Sequence, residues 1–316
     1  MPFLKKTTTL IDLSHNEMLH IEEDEFSEFF KLLQRLNIKI KKNENRDLSP
    51  ELLQDIDILI IGNPIDDYFS NIEIKAIIDF VRIGGNLLIL SEYGADYLQK
   101  TNLNDISSTH FGIYFQKNLI KELNSVNQNC TSIVHIQRFN NKQIGNGLRE
   151  VLIGGTCSLL LSKDAKPFLF TSKKNVWSEK YNSSNEEWVR EEEEEEQIIG
   201  AYTEYGQGRV VALGDIDIFT NDSNIGLNQL DNQLLITNTL KWLIEPVKEP
   251  DLMKFTLNQL GEIQNDMKNI NKKIDNIIET MTILEKRISD IEQKSNALIK
   301  NPDVNKVIDK KTVQEK

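Results

Sequence analysis

The apolar residues of this chain follow two patterns, and the change between them falls near Pro250. Before it, short apolar runs typical of buried strands alternate with segments of helical periodicity. After it, one stripe continues with gaps of alternately three and four residues, which is the spacing of the a and d positions of a heptad. The stripe consists of Leu260, Ile263, Met267, Ile270, Ile274, Ile277, Met281, Leu284, Ile288 and Ile291.

The C-terminal stripe predicts a coiled-coil helix over residues 248–300, followed by a polar tail at 301–316. No Pro lies between Pro250 and Pro302, and Gly261 is the only Gly there, so the helix would be ~70 Å long. Its a positions mix Leu, Met and Ile and its d positions are mostly Ile, which leaves the number of helices open. The alternative is a helix that folds back on its own domain. The polar residues on its other faces favour a second polypeptide, either another copy or a different protein.

Residues 7–247 are predicted to form one α/β domain with a mostly parallel sheet. The run 57–61 is continuously apolar, as in a strand covered on both faces. Ser70 and Glu73 then have the spacing of a capping box at the start of a helix, and a second apolar strand follows at 86–90. Strand, helix and strand in this order favour parallel pairing through a right-handed crossover.

The second half of this domain is richer in strands, with a hairpin about Gly206 to Gly208. Residues 173–197 lack apolar periodicity and include the acidic run Glu186 to Glu196, where neighbouring charges repel. We expect a solvated, disordered insertion there. An acidic docking tract is the alternative.

The net charge, the length of the apolar stretches and the number of cysteines limit the classes of protein to which this chain could belong. The 316 residues carry a net charge of −12, which argues against nucleic acid as a main partner. No apolar stretch is long enough to span a membrane, and Met1 to Lys6 lacks the apolar region of a secretory signal. With only Cys130 and Cys157 there is no disulfide framework. We therefore expect a cytoplasmic protein, without a cofactor or a resident metal.

Polar residues follow the predicted strands, where open α/β sheets bind ligands. They are Asp12, Ser14, His15, Asn16, Glu17, Asn63, Glu92, Asp215 and Asp217. If they converge on one crevice, they form a site for a small ligand. Asp215 and Asp217 have the spacing to share a divalent cation, although two acids alone are a weak signal. The favoured interpretation is that these side chains cap loops and helices.

The order of several segments is similar to that of the GIFT domain family. These segments are Leu10 to Glu17, Leu59 to Pro64, Phe69 to Leu90, Phe111 to Ile113, Gly206 to Asp215, and Asp231 to Leu243. The family is shared by an intraflagellar-transport subunit and a gliding-motility auxiliary protein of an ABC-type system. The resemblance covers about residues 7–247.

The resemblance implies a flavodoxin-like sheet with helices on both faces, related to class I glutamine amidotransferases. Those enzymes place a cysteine in an elbow after a central strand, where this chain has Ser91, Glu92, Tyr93 and Gly94. We therefore predict no catalytic residues and a non-enzymatic scaffold that uses the domain for recognition and the coiled coil for assembly. The alternative is a small-ligand or carbohydrate-binding module, or a divergent hydrolase, with Asp12, His15, Glu17, Glu92, Asp215 and Asp217 at its site.

Overall fold

The computed structural model describes residues 6–21, 24–44, 46–123, 130–191, 196–245 and 252–299. The chain divides into two units, residues 1–251 and 252–316. Residues 246–251, which include the start of the predicted coiled coil, and the polar tail predicted at 301–316 lie outside the described residues.

The first unit contains sixteen strands among its described residues. They are β1 (Thr8–Asp12), β2 (Lys39–Asn43), β3 (Ile58–Gly62), β4 (Asn86–Leu90), β5 (Ile113–Phe115), β6 (Asn118–Leu123), β7 (Cys130–Thr131), β8 (Ile133–Ile136), β9 (Arg138–Phe139), β10 (Val151–Gly154), β11 (Leu159–Leu161), β12 (Lys166–Phe170), β13 (Val176–Asn182), β14 (Glu187–Arg190), β15 (Ile198–Tyr205) and β16 (Gly208–Leu213).

Helices alternate with these strands mainly in the first half. The α-helices are α1 (Ser27–Arg35), α2 (Pro50–Leu53), α3 (Asn71–Arg82), α4 (Ala95–Gln99), α5 (Leu103–Ser107), α6 (Asn232–Ile244) and α7 (Leu252–Ile299). Two 3-10 helices, Asp24–Phe26 and Asp217–Phe219, complete the described helical structure.

The central sheet has eight strands in the order β2-β1-β3-β4-β16-β15-β12-β9. The first five are parallel to one another, and β15, β12 and β9 extend the sheet in antiparallel pairing. The predicted mostly parallel α/β sheet is therefore confirmed, and the hairpin about Gly206 to Gly208 is β15–β16. Since β1, β3, β4 and β16 are parallel neighbours, the segments that follow them lie along one edge of the sheet.

Hydrophobic residues cover both faces of this sheet. Along β3, Ile58 and Ile60 belong to one apolar cluster, whereas Leu59 and Ile61 belong to another. Helices α1 and α6 contribute to the first cluster, and α2, α3 and α5 contribute to the second. Burial on both faces explains why the parallel strands are continuously apolar.

Helix α3 begins as the sequence predicts. The Glu73 amide donates to the Ser70 hydroxyl at 3.3 Å, and the Ser70 amide donates to the Glu73 carboxylate at 2.9 Å. This capping box satisfies two of the amides that a helix start leaves without partners. It also fixes the Glu73 side chain near the sheet edge.

The disordered insertion predicted for residues 173–197 is corrected in part. Strands β13 and β14 form a hairpin there, and β13 also pairs with β6 in a sheet of order β14-β13-β6-β7. Aromatic side chains in the hairpin supply packing, and Lys180 forms an ion pair with Glu191 that offsets part of the acidic charge. Residues 192–195 of the acidic run lie outside the described residues.

The second unit is described as a single helix. Helix α7 has 48 residues and contains the predicted apolar stripe. Among the described residues, none of the helices combines the length and the apolar character that crossing a bilayer requires.

Candidate functional site

The sequence-predicted polar residues lie along the sheet edge where β1, β3, β4 and β16 end, but they form two groups rather than one crevice. Asp12 ends β1, His15 and Glu17 follow it, and these side chains meet Glu73 of α3; we call these four residues the histidine cluster. Glu92 follows β4 and meets Asp215 and Asp217 after β16; we call these three residues the carboxylate cluster.

The histidine cluster is built around one imidazole ring. His15 Nδ1 lies 2.8 Å from Asp12 Oδ2, and Nε2 lies 3.1 Å from Glu73 Oε1. The backbone amide of His15 donates to Glu17 Oε2 at 3.1 Å, and the ring packs on Phe69. Both ring nitrogens are thus engaged by carboxylates, so the ring presents no free nitrogen to a substrate.

Hydrogen bonds also fix the Asp12 carboxylate. The Asn43 amide donates to Asp12 Oδ1 at 2.6 Å, and the Ser14 hydroxyl donates to the same oxygen at 2.9 Å. Sequence reasoning missed Asn43 and Glu73 as members of this network. They lie on β2 and α3, and only the folded sheet brings them to the end of β1.

The charge of each residue in the histidine cluster shifts the pKa of its neighbours. Burial acts to lower the pKa of His15, but the hydrogen bond and charge of Asp12 and the charge of Glu73 outweigh it and raise that pKa. Burial acts to raise the pKa of Asp12, but hydrogen bonds from His15 and Glu17 and the charge of His15 lower it. Burial and the charge of Asp12 raise the pKa of Glu17 to about 9. The cluster therefore favours the protonated form of His15 and the ionised form of Asp12, and it keeps Glu17 protonated at neutral pH.

The carboxylate cluster has a different composition, because it contains no histidine. Asp215 is fully buried, and its two oxygens accept the amides of Asp217 at 2.9 Å and Ile218 at 3.3 Å, which caps the short 3-10 helix. Glu92 is 3% exposed, and its Oε1 accepts the Tyr93 amide at 3.0 Å. Asp217 is partly exposed.

Burial and mutual repulsion disfavour ionisation of these three acids. Burial and the charge of Asp215 raise the pKa of Glu92, and burial and the charge of Asp217 raise the pKa of Asp215, in both cases well above the usual range. Burial, with the charges of Glu25 and Asp222, raises the pKa of Asp217 to about 6. Perturbed carboxyl groups of this kind mark candidate functional sites.

Asn63, which follows β3 between the two clusters, is fully buried, and its amide nitrogen donates to Met18 Sδ at 2.8 Å. Asn16 donates to the Ile65 carbonyl at 2.9 Å. The capping interpretation therefore holds for Asn16 and for the oxygens of Asp215. It accounts for only one carboxyl oxygen each of Glu92 and Glu17, which accept the amides of Tyr93 and His15, and it does not account for Asp217.

Sequence reasoning missed a surface feature beside the carboxylate cluster. Four aromatic rings follow one another across α4 and the β13–β14 hairpin: Tyr93 lies 6.1 Å from Trp188, Trp188 lies 5.4 Å from Tyr181, and Tyr181 lies 6.5 Å from Tyr97. We call Tyr93, Trp188, Tyr181 and Tyr97 the aromatic row. Tyr93 and Tyr97 are 40% and 46% exposed. The neighbouring Glu run hid this signal in the sequence.

At the turn after β4, where class I amidotransferases carry a nucleophilic cysteine, this chain has a buried glutamate, and its buried cysteine Cys157 lies elsewhere in the sequence. Glu92 stands in the turn after β4, where Gly94 and Ala95 have φ values of 75° and 44°. Cys157 is fully buried, as predicted for a small core residue, and burial raises the pKa of its thiol. Neither group resembles an exposed, activated nucleophile.

Comparisons with known proteins agree with this fold. Residues 8–126 match the family described as the IFT52 GIFT domain. The structure of the mmIFT52 N-terminal domain is similar with a TM-score of 0.60 and 17% sequence identity, over 77% of this chain and all of that one. The cytoplasmic protein STM1381 from Salmonella typhimurium LT2 is similar with a TM-score of 0.51 and 13% identity, over 76% of this chain and all of that one. Among curated proteins, none matches this chain in sequence.

The structural likenesses extend over most of the chain, whereas the family match covers its first part. Because these two structures are only 17% and 13% identical to the chain, their likeness shows the fold and not the function. The family match adds the sequence evidence for the strands and helices from β1 to β6. Residues 8–126 of the chain are therefore similar in sequence to the IFT52 GIFT domain, and the fold of the first unit is similar to that of the mmIFT52 N-terminal domain.

Proposed function

We propose that this protein is a non-enzymatic cytoplasmic scaffold. Its GIFT domain provides a recognition surface, and its C-terminal helix joins copies of the chain through a coiled coil. The observation that carries this proposal is the apolar stripe of α7, because a long exposed apolar seam on a helix is stable in water only when another helix covers it.

The stripe is continuous and solvent-exposed within the described chain. Its ten residues, Leu260, Ile263, Met267, Ile270, Ile274, Ile277, Met281, Leu284, Ile288 and Ile291, are each between 46% and 65% exposed. They recur with strict heptad spacing over five heptads. Such a run of large apolar side chains marks an interaction surface rather than an ordinary exposed position.

Charges beside the stripe are compatible with self-association. Arg287 occupies a g position and Glu292 the following e position, and these positions face each other across a parallel pair of identical helices. This complementarity favours a second copy of the chain as the occupant. If the chain alone is monomeric, the expected partner of α7 is a different protein that carries its own heptad stripe.

The histidine cluster supports the non-enzymatic part of the proposal. His15 is held by Asp12 and Glu73 through both nitrogens, which is the arrangement of a structural ion network rather than a general base. Both ring nitrogens of His15 are therefore engaged within the cluster, whereas Glu17 Oε1 is buried without a hydrogen-bond partner.

We expect the double substitution Ile274→Glu and Ile277→Glu in the full chain to abolish self-association. The two charges fall on adjacent a and d positions, where they would be buried between helices without partners. The control is Ile283→Glu, because Ile283 is also 50% exposed on α7 but occupies a c position outside the stripe. Light scattering with size exclusion should give a multimer for wild type and Ile283→Glu, and the 36.4 kDa monomer for the double variant.

A monomeric wild type at high concentration would overturn self-association. Equal masses for wild type and the double variant, with both multimeric, would show that another surface joins the copies. Circular dichroism of each variant establishes whether the helix content is retained.

The aromatic row favours a second candidate function, the binding of a carbohydrate or another small ligand. Aromatic side chains that contact one another at a surface offer large, rigid, apolar contact area. Tyr93, at one end of the row, directly follows the buried Glu92. The ring of Tyr97 at the other end contacts the Lys117 ammonium.

Trp188 can report on such a ligand, because Trp177 and Trp242 are only 5% and 4% exposed. We expect chitotetraose or maltotetraose to change the Trp188 emission, and Tyr181→Ala to weaken binding about fivefold by removing one stacking partner. Tyr114→Ala is the matched control, since Tyr114 is 45% exposed on β5 outside the row. An unchanged emission with both sugars would count against a carbohydrate ligand.

A further inference from the structure

The carboxylate cluster lies where two neighbouring parallel strands end together. Leu213 of β16 is in register with Leu90 of β4, and the Ser91 amide donates to the Leu213 carbonyl at 3.0 Å. The residues that follow both strands therefore emerge side by side. Asp217 joins them from the first position of the 3-10 helix that Asp215 caps.

The three side chains are close enough to share one ion. One carboxylate oxygen from each of Glu92, Asp215 and Asp217 lies within 4.8 Å of the other two. Carboxylate oxygens bound to one hard divalent cation, each at about 2.0 to 2.6 Å, span a separation of this order.

The main charges that act on the cluster are acidic. Within the part of the chain that the structure describes, these three acids form no ion pair with a Lys, Arg or His, and the further charges acting on Asp217 are those of Glu25 and Asp222. This is the opposite of the histidine cluster, where His15 neutralises its neighbours. A buried group of like charges is costly unless the acids are protonated or a cation joins them.

One atom of the cluster points independently to a missing partner. Glu92 is only 3% exposed, and its Oε2 atom is buried without a hydrogen-bond partner. Unpaired buried polar atoms are rare, because each one costs the hydration it has lost.

The backbone also makes room for the Glu92 carboxylate. A Cβ atom at position 155 would lie 2.9 Å from Glu92 Oε1, and Gly155 has a φ of 61°, which favours glycine. Asp217 is the partly exposed member, so the cluster is open to solvent on its side.

We propose that Glu92, Asp215 and Asp217 bind a divalent cation that prefers oxygen ligands, of the class Ca²⁺, Mn²⁺ and Mg²⁺. The ion is held by one oxygen from each acid, and Glu92 Oε2 gains the partner it lacks. Water completes the coordination on the side of Asp217. The ion thereby ties the turn after β4 to the turn after β16, independently of whether α7 self-associates.

The test is the thermal unfolding of the full chain with millimolar CaCl₂, MnCl₂ or MgCl₂, compared with EDTA at matched ionic strength. We expect at least one of these cations to raise the unfolding midpoint of wild type, because a ligand that binds the folded state stabilises it. Asp217→Asn should remove this increase and should by itself raise the midpoint in EDTA, because it relieves repulsion without disturbing a buried hydrogen bond. The higher unfolding midpoint of Asp217→Asn in EDTA would show that this variant is folded.

Asp222→Asn is the matched control. Asp222 contributes negative charge near Asp217 but is not one of the three ligands, so this variant should keep most of the response. Terbium luminescence sensitised by Tyr93 gives an independent readout, and Glu92→Gln should weaken terbium binding about tenfold or more. The proposal is overturned if none of the three cations moves the wild-type midpoint, or if Asp217→Asn responds as much as wild type.

Discussion

Glu17→Gln is expected to make the protein more stable than wild type at neutral pH, by about 3 kcal/mol at pH 7. Glu17 is 1% exposed, and its pKa of about 9 lies far above its ordinary value of 4.5. The folded protein therefore holds a proton on this carboxyl at a pH where the unfolded chain has released it. Glutamine is neutral in both states and has nearly the same size, so it removes the cost of keeping that proton.

The sign of the pH dependence follows from the direction of the shift. A carboxyl whose pKa is raised on folding contributes stability that is fully present below about pH 4.5 and is lost as the pH rises toward 9. Between those limits the folded state binds one proton more than the unfolded state, and stability falls by about 1.4 kcal/mol per pH unit. In Glu17→Gln this contribution is absent.

Urea unfolding of both proteins between about pH 5 and pH 8 measures the effect. The advantage of Glu17→Gln should be small at the acidic end and grow steadily toward the alkaline end. Glu187→Gln is the control, because Glu187 is exposed on β14 and its substitution should leave the pH profile of wild type unchanged. A difference between Glu17→Gln and wild type that does not vary with pH would show that Glu17 is ionised in the folded protein.

The parallel half of the sheet is predictable from sequence because local signals and burial agree there. The continuous apolar run of β3 and the capping box at Ser70 each indicate one element, and the sheet buries both faces of the strand. The end of each strand then fixes where its polar residues lie. Asp12, His15 and Glu17 come together because they follow one strand, and Glu92 meets Asp215 because β4 pairs with β16.

The remaining features depend on contacts between distant segments. Glu73 is recognisable as a capping residue, but its contact with His15 exists only because α3 begins beside the end of β1. The sequence predicts a disordered insertion where β13 and β14 form a hairpin. That prediction fails because β13 gains its order from pairing with β6 rather than from local periodicity. In the aromatic row, Tyr181 and Trp188 lie opposite each other in the β13–β14 pair. Pattern analysis along the chain therefore finds the strands that the core dictates and misses those that depend on cross-strand partners.

Gly208→Ala is expected to destabilise the domain strongly, by about 3 kcal/mol or more, because the new methyl group would collide with backbone atoms. Gly208 opens β16 after the hairpin turn and packs against the C-terminal end of α3. An added Cβ would lie closer than 3.0 Å to the carbonyl oxygens of both Gly85 and Val81. Side chains can move away from such a collision, but these carbonyls belong to the end of a helix and to the turn that leads into β4.

Gly84→Ala separates steric collision from backbone strain in the same region. Gly84 has a φ of 116°, which an alanine adopts only with strain, but its nearest neighbour to an added Cβ is Gln207 Cβ at 3.7 Å. We expect this variant to cost only about 1 to 2 kcal/mol. Thermal and urea unfolding should therefore order the proteins as wild type, Gly84→Ala and Gly208→Ala, from most to least stable. If Gly208→Ala were as stable as wild type, the close contact between the β15–β16 hairpin and the end of α3 would be wrong, and with it the placement of β16 beside β4 on which the carboxylate cluster depends.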